Sequence, residues 1–258
     1  MRLERTCLGA AVALCIAAGS PASAQSVALT LRQLQSDVDS VRENAFARLT
    51  ILGNTGAHAT CSPTASDEIA RGLIRGLEKE SFFIHSKRSS ETETEYYANL
   101  IGCVAGLRDP RAAHALVGAI DTGWGAINGI LNLGDAAIPE VVAAVKTPTT
   151  RRTARSTAAR TLGWFVAPTA PKQVSTASRA TIRDELLTAV TDTSALVRGA
   201  AVGSLTFFSD TAVSSAIRSA VASDTGVVIG TKGRWFPVRD AAKDWLHQDS
   251  LKVRKPAR

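Results

Sequence analysis

Four kinds of side chain in this sequence could do chemistry: a pair of cysteines, four histidines, an arginine that recurs along the chain, and a basic and aromatic group in one glycine-rich stretch. Cys61 and Cys103 lie well inside the chain, apart from Cys7 and Cys15 near its start. Two cysteines in an oxidising compartment form a disulfide where geometry permits, worth on the order of 3–4 kcal/mol for a loop of this size in the chain-entropy model. The alternative is two unpaired thiols acting as small buried hydrophobes. His58, His85, His114 and His247 show no ligand spacing with one another or with cysteine, so no metal site is expected. There is no nucleophile elbow, no zinc-binding helix and no distinctive carboxylate pair. Scattered Ser, His and Asp do not make a triad, and neither a cofactor nor an enzyme activity is expected.

The arginine is the more informative group. In DSVRENAFARLTILG, residues 39–53, Val41, Ala45, Leu49 and Leu52 form one helical stripe with Arg42 beside it. The same offsets select Val197, Arg198, Ala201, Leu205 and Phe208, then Ala154, Arg155, Ala158, Leu162 and Phe165, then Val238, Arg239, Ala242 and Leu246. Four matches in one chain mark an internal repeat. Arg155 and Arg198 stand 43 residues apart and Arg198 and Arg239 stand 41 apart, an interval that suits two helices with modest loops. Intervening helices follow from Ile138, Val141, Val142 and Val145, and from Val213, Ala216, Ile217 and Ala220, each at i, i+3, i+4, i+7. Gly and Asp mark the joints; Asp135 is placed to cap the helix that follows it. Two degenerate units sit at 91–109 and 111–134, where Trp124 replaces the arginine. No strand-like alternation competes, and no sheet is expected.

With 45% hydrophobic and 21% charged residues, the chain has ample material for a core and no disorder signature. It opens MRLERTCLGAAVALCIAAGSPASAQS, a basic start, a short apolar run and a small-residue site, as in a secretory signal peptide cleaved after Ala24. Lipid attachment at Cys15 is the rival reading, against which stands Leu14, where a small residue is usual. The expected division is a leader at 1–24, a helical domain at 25–249 and a basic tail at 250–258. No later segment is long and uncharged enough to span a membrane. Loss of the leader removes two Arg and one Glu, taking the net charge from +7 to +6. An excess of that size favours acidic surfaces in general without naming a ligand.

These repeats resemble HEAT repeats, including the HEAT-like repeats of phycobilin lyases and of many bacterial proteins. The resemblance spans about residues 27–249 and is specific in the four arginine-bearing helices. It implies an all-α, right-handed α-solenoid of five to six stacked antiparallel helix pairs. It also implies that Arg42, Arg155, Arg198 and Arg239 form a structural ladder, bonded to Asp or to backbone carbonyls of neighbouring repeats. Asp192, six residues before Arg198, matches the inter-helix Asp of the family; Arg155 and Arg239 have no Asp at that spacing.

Candidate contact residues follow. Arg151 and Arg152 gather at the start of one repeat helix, on what is commonly the concave face of such a solenoid. Lys232, Arg234 and Trp235 fall in SDTGVVIGTKGRWFPVRD, residues 223–240, as either a ligand-facing loop or a cover for the end of the core. The function expected is that of an exported, noncatalytic scaffold, periplasmic or secreted, binding a protein partner through its concave face or loop edges. The alternative is a solenoid that binds an acidic envelope component or polyanion through Arg151, Arg152 and the tail KVRKPAR; specific nucleic-acid recognition is not expected.

Overall fold

A computed structural model describes residues 21–54, 61–86, 91–148, 151–230 and 233–253. Among these, twelve α-helices carry nearly all the regular structure. They are α1 (Pro21–Gln33), α2 (Asp39–Asn54), α3 (Asp67–Ser86), α4 (Glu91–Leu107), α5 (Ala113–Gly118), α6 (Trp124–Leu133), α7 (Ile138–Lys146), α8 (Arg152–Val166), α9 (Thr176–Ala189), α10 (Ala195–Leu205), α11 (Thr211–Ser223) and α12 (Pro237–Val253). The fold class is all-α. The repeat positions are the ones that go inside: Ala45 and Leu49 in α2, Ala158, Leu162 and Phe165 in α8, Val197, Ala201 and Leu205 in α10, Val238 and Ala242 in α12 are all buried. Leu52 lies outside the residues whose side chains are described. Two helices start where a short polar side chain takes over an orphan amide. Ser175 Oγ accepts from Ser178 N at 3.1 Å ahead of α9, and Asp210 Oδ1 from Val213 N at 2.9 Å ahead of α11.

Neighbour relations follow chain order. Each odd-numbered helix packs on the even-numbered helix after it, from α1 on α2 to α11 on α12. The even helices also pack in succession from α2 to α12, and the odd helices in succession from α1 to α9. Glycine sets how closely the even helices approach. A Cβ added at Gly129 would stand 2.7 Å from the Ala105 Cβ of α4, and one at Gly163 would stand 2.5 Å from Ser204 Oγ of α10. Across that second contact Ser204 Oγ donates to the Ala159 carbonyl at 2.9 Å, so a buried hydroxyl is satisfied by a neighbouring helix.

Several expectations need correction. A small sheet exists: Val228–Gly230 (β1) pairs antiparallel with Gly233–Trp235 (β2), Val228 opposite Trp235 and Ile229 opposite Arg234. The signal was β-branched and aromatic residues on either side of two closely spaced glycines, a hairpin pattern that the helical periodicity elsewhere overshadowed. Asp135 caps nothing in α7; its carboxylate accepts from Ser175 N at 3.0 Å, forty residues on. Helix α12 runs to Val253 and so enters the expected tail, and residues 254–258 lie outside the described residues. Of the expected leader, only 21–24 are described, as the first turn of α1.

The close helix approach makes a paired prediction. Gly163→Ala should destabilise by about 1–3 kcal/mol through overpacking. Gly102→Ala, where nothing lies within 4 Å of the added carbon, should be neutral or stabilise by about 0.5–1 kcal/mol. Urea denaturation of the two variants checks this, and equal effects would mean that the contact is not tight.

Candidate functional site

The repeat arginines reach forward from one helix pair to the next. Arg42, only 2% exposed, donates from Nε to Glu80 Oε1 at 2.6 Å and from Nη2 to Glu80 Oε2 at 3.0 Å, with Nη1 on the Ser36 carbonyl at 2.9 Å. Burial opposes its charge, and the bonds to Glu80 and Asp39 overcome that opposition, holding its pKa above the ordinary arginine value. Arg155 is also buried; its Nε donates to the Val145 carbonyl at 2.9 Å and its Nη2 to the Asp192 carboxylate. Arg198 grips Asp224 with Nε at 2.7 Å and Nη2 at 3.1 Å, while Nη1 donates to the Asp192 carbonyl at 2.8 Å. Asp192 is therefore a node. Its carboxylate serves the arginine before it, and its carbonyl serves the arginine after it.

This corrects the expected pairing. Asp192 does not give its carboxylate to Arg198; Arg42, Arg155 and Arg198 each reach an acid in the following helix pair, and Arg42 also holds Asp39 of its own helix. Glu80 comes 38 residues after Arg42, Asp192 comes 37 after Arg155 and Asp224 comes 26 after Arg198. Glu80 and Asp224 were invisible to a search for an acid upstream in the same repeat, and the signal that would have found them is an acid about one repeat downstream. Arg239 is the weak member of the series. It is exposed, donates to the Asp224 carbonyl at a long 3.3 Å and lies over the Phe236 ring at 5.4 Å.

The ladder is interrupted in the middle. At the arginine position α4 carries Glu95 and α6 carries Trp124. Asp121, which precedes α6, is instead taken by Arg151 from ahead of α8, Nη2 to Oδ1 at 2.7 Å, with Thr153 Oγ1 at 3.3 Å on the other oxygen. Trp124 stays 63% exposed and stacks against Trp164 of α8, ring centroids 5.0 Å apart and planes tilted by 32°. Arg152 and Arg160 are exposed on α8.

Cys61 and Cys103 are paired at disulfide distance, with Cα atoms 4.5 Å apart, tying the segment before α3 to the middle of α4. Nearby, Tyr97 donates or accepts with Ser81 Oγ at 2.8 Å, and burial pushes its phenol up to about 12. Arg234 and Trp235 both lie exposed on β2, Trp235 at 42%. Lys232 lies outside the described residues. Among the described residues no three His, Cys, Asp or Glu side chains cluster as a metal site, and no helix is long and apolar enough to cross a membrane. No protein-family model matches the chain, and no curated protein matches it.

The rungs differ in burial, so their loss should differ in cost. Arg42→Ala leaves the buried Glu80 carboxylate unpaired and should cost about 3–5 kcal/mol. Arg198→Ala should cost about 1–3 kcal/mol through a lost charge-assisted bond and stranded carbonyls. Arg239→Ala should cost less than about 0.5 kcal/mol. Denaturant midpoints check the order, and a cost at Arg239 equal to that at Arg198 would overturn it.

A pH prediction follows from Asp224. Its bonds to Arg198 hold its carboxyl below the ordinary range. A carboxylate depressed by folding contributes stability that is fully present above its unfolded pKa, about 4, and is lost as pH falls through the lower folded value. Stability of the native chain should therefore fall more steeply below about pH 4 than that of Arg198→Ala, in which the largest cause of the depression is gone. Thermal melting between acid and neutral pH reads this directly, and parallel acid limbs would count against it.

Proposed function

We propose that this protein is an exported, noncatalytic scaffold of the HEAT-like kind, a right-handed α-solenoid of six antiparallel helix pairs that binds a protein partner on the face presented by its even helices. The observation that carries the reading is the order of neighbours. Helices whose main packing partners are sequence neighbours and counterparts one pair away are what a linear stack of repeats requires. The forward-reaching arginines support it as well, since a bond from each pair to the next is useful only where pairs succeed one another. Stacked repeats generate long surfaces suited to extended partners, and an exposed Trp on such a surface has the character of an interface anchor. Export is read from the leader-like 1–24, and a paired Cys61 and Cys103 suits an oxidising compartment.

Two measurements on the full chain produced with its own N-terminus test the proposal. The exported form should begin at Gln25. A photo-crosslinking residue placed at exposed Asn128 on α6 should give one discrete protein adduct in the native envelope, lost on Trp124→Ala, while the same residue at exposed Arg75 on α3 should give none. Equal adducts at both positions, or none at either, would sink the assignment of the even-helix face.

A further inference from the structure

The charge on the even helices is one-sided at the centre of the chain. Helices α6, α8 and α10, of ten, fifteen and eleven residues, contain no Asp or Glu, while α8 and α10 carry Arg152, Arg155, Arg160 and Arg198. Carboxylates just outside these helices are committed: Asp121 to Arg151, Asp192 to Arg155, Asp224 to Arg198 and Asp135 to the amide of Ser175. Buried Arg155 and half-buried Arg198 take two of those acids, exposed Arg151 a third and a backbone amide the fourth. Arg152 and Arg160, both exposed, have no ion-pair partner among the described residues. The repeat arginine of the same helix, Arg155, is buried and paired, so these two are the cations that α8 leaves to solvent.

Their positions form a line. Arg152, Ser156, Arg160 and Trp164 follow at i, i+4, i+8 and i+12 on α8, a row of successive neighbours that winds slowly around the helix. On α6, Trp124, Asn128 and Asn132 follow at i, i+4 and i+8, all exposed. The stacked Trp124 and Trp164 join the two lines. One line offers two unpaired guanidinium groups, whose rigid forks match carboxylates. The other offers amide side chains, each able both to donate to and to accept from a peptide backbone. Between them stands a large, mostly solvent-exposed aromatic surface.

Resting on the reading of this face as a protein-binding one, we infer that its ligand is an extended acidic peptide segment, with carboxylates on Arg152 and Arg160 and an apolar or aromatic side chain against Trp124. A polyanion such as a nucleic acid or an acidic glycan fits less well. Such ligands are held by many phosphate or sulfate contacts and show correspondingly steep salt dependence, whereas only two unpaired cations are present here beside an uncharged α6.

The probe is a fluorescent peptide of alternating Glu and Asp with one central Trp, compared with its Gln and Asn counterpart and with a single-stranded oligonucleotide, by anisotropy on the full chain at low and moderate salt. The acidic peptide should bind at least tenfold tighter than the amide peptide. The double variant Arg152→Glu with Arg160→Glu should weaken it at least tenfold, Trp124→Ala should weaken both peptides, and Arg75→Glu on α3 should change nothing. Both arginines are exposed, and unchanged thermal melting of the double variant establishes that it folds. Equal binding of the two peptides, both still dependent on Trp124, would overturn the acidic assignment and leave the protein-binding face standing. Oligonucleotide binding that exceeds peptide binding, loses affinity steeply with salt and ignores Trp124→Ala would overturn it in favour of a polyanion. Binding of none of the three probes would overturn both.

Discussion

A guanidinium that leaves its own helix pair to find a carboxylate in the next is the constraint on which this structure depends. Arg42, buried against buried Glu80, shows the logic most clearly. Such a pair adds little net stability over an apolar one, because two charges must be stripped of water. Its effect is on register. Any arrangement that seats another helix pair beside α2 leaves a buried cation without its acid, and that penalty falls on the wrong neighbour alone. Asp192 extends the same logic across two successive pairs, since it receives Arg155 of α8 on its carboxylate and Arg198 of α10 on its carbonyl, and Arg198 in turn reaches Asp224 of the pair after. Moving that residue would disturb both joints together.

Close packing then becomes compatible with order. Glycine at 129 and 163 brings neighbouring even helices nearer than a side chain would permit, and the apolar stripe of each helix is buried against its neighbours. Small residues alone are permissive, since they admit several sliding offsets between helices. The arginine links select one offset, and the Ser204 hydroxyl on the Ala159 carbonyl reinforces that choice between α8 and α10. Affinity between helices comes from the stripes, and position comes from the polar bonds.

Much of this was legible in the sequence because helical periodicity is local. The stripe through Ala45 and Leu49, and its copies in α8, α10 and α12, needed only spacing to be read, and so did the recurrence of arginine beside it. The partners of those arginines were not legible in the same way. An acid 26 to 38 residues away is one of several, and choosing Glu80 or Asp224 requires knowing which helix comes to lie beside which. Asp192 was singled out for the right type and the wrong bond, since its nearness to Arg198 in sequence hid its carboxylate's role toward Arg155. The hairpin at 228–235 was missed for the opposite reason: a strand signal three residues long is weak next to a chain full of helical periods. The line of Arg152, Arg160 and the Trp pair needed the structure, because exposure and the absence of a partner acid are properties of the fold.

The gap in the ladder has a mechanical meaning. Where α4 and α6 carry Glu95 and Trp124 in place of arginine, the forward guanidinium bond is missing, and the joint between α6 and α8 is held instead by a backward one, Arg151 to Asp121, beside the tilted rings of Trp124 and Trp164. The linkage thus changes polarity at the centre: elsewhere a helix grips the pair that follows it, and here the later helix grips the turn ahead of the earlier one, so the chain is fastened from the opposite direction where α6 meets α8.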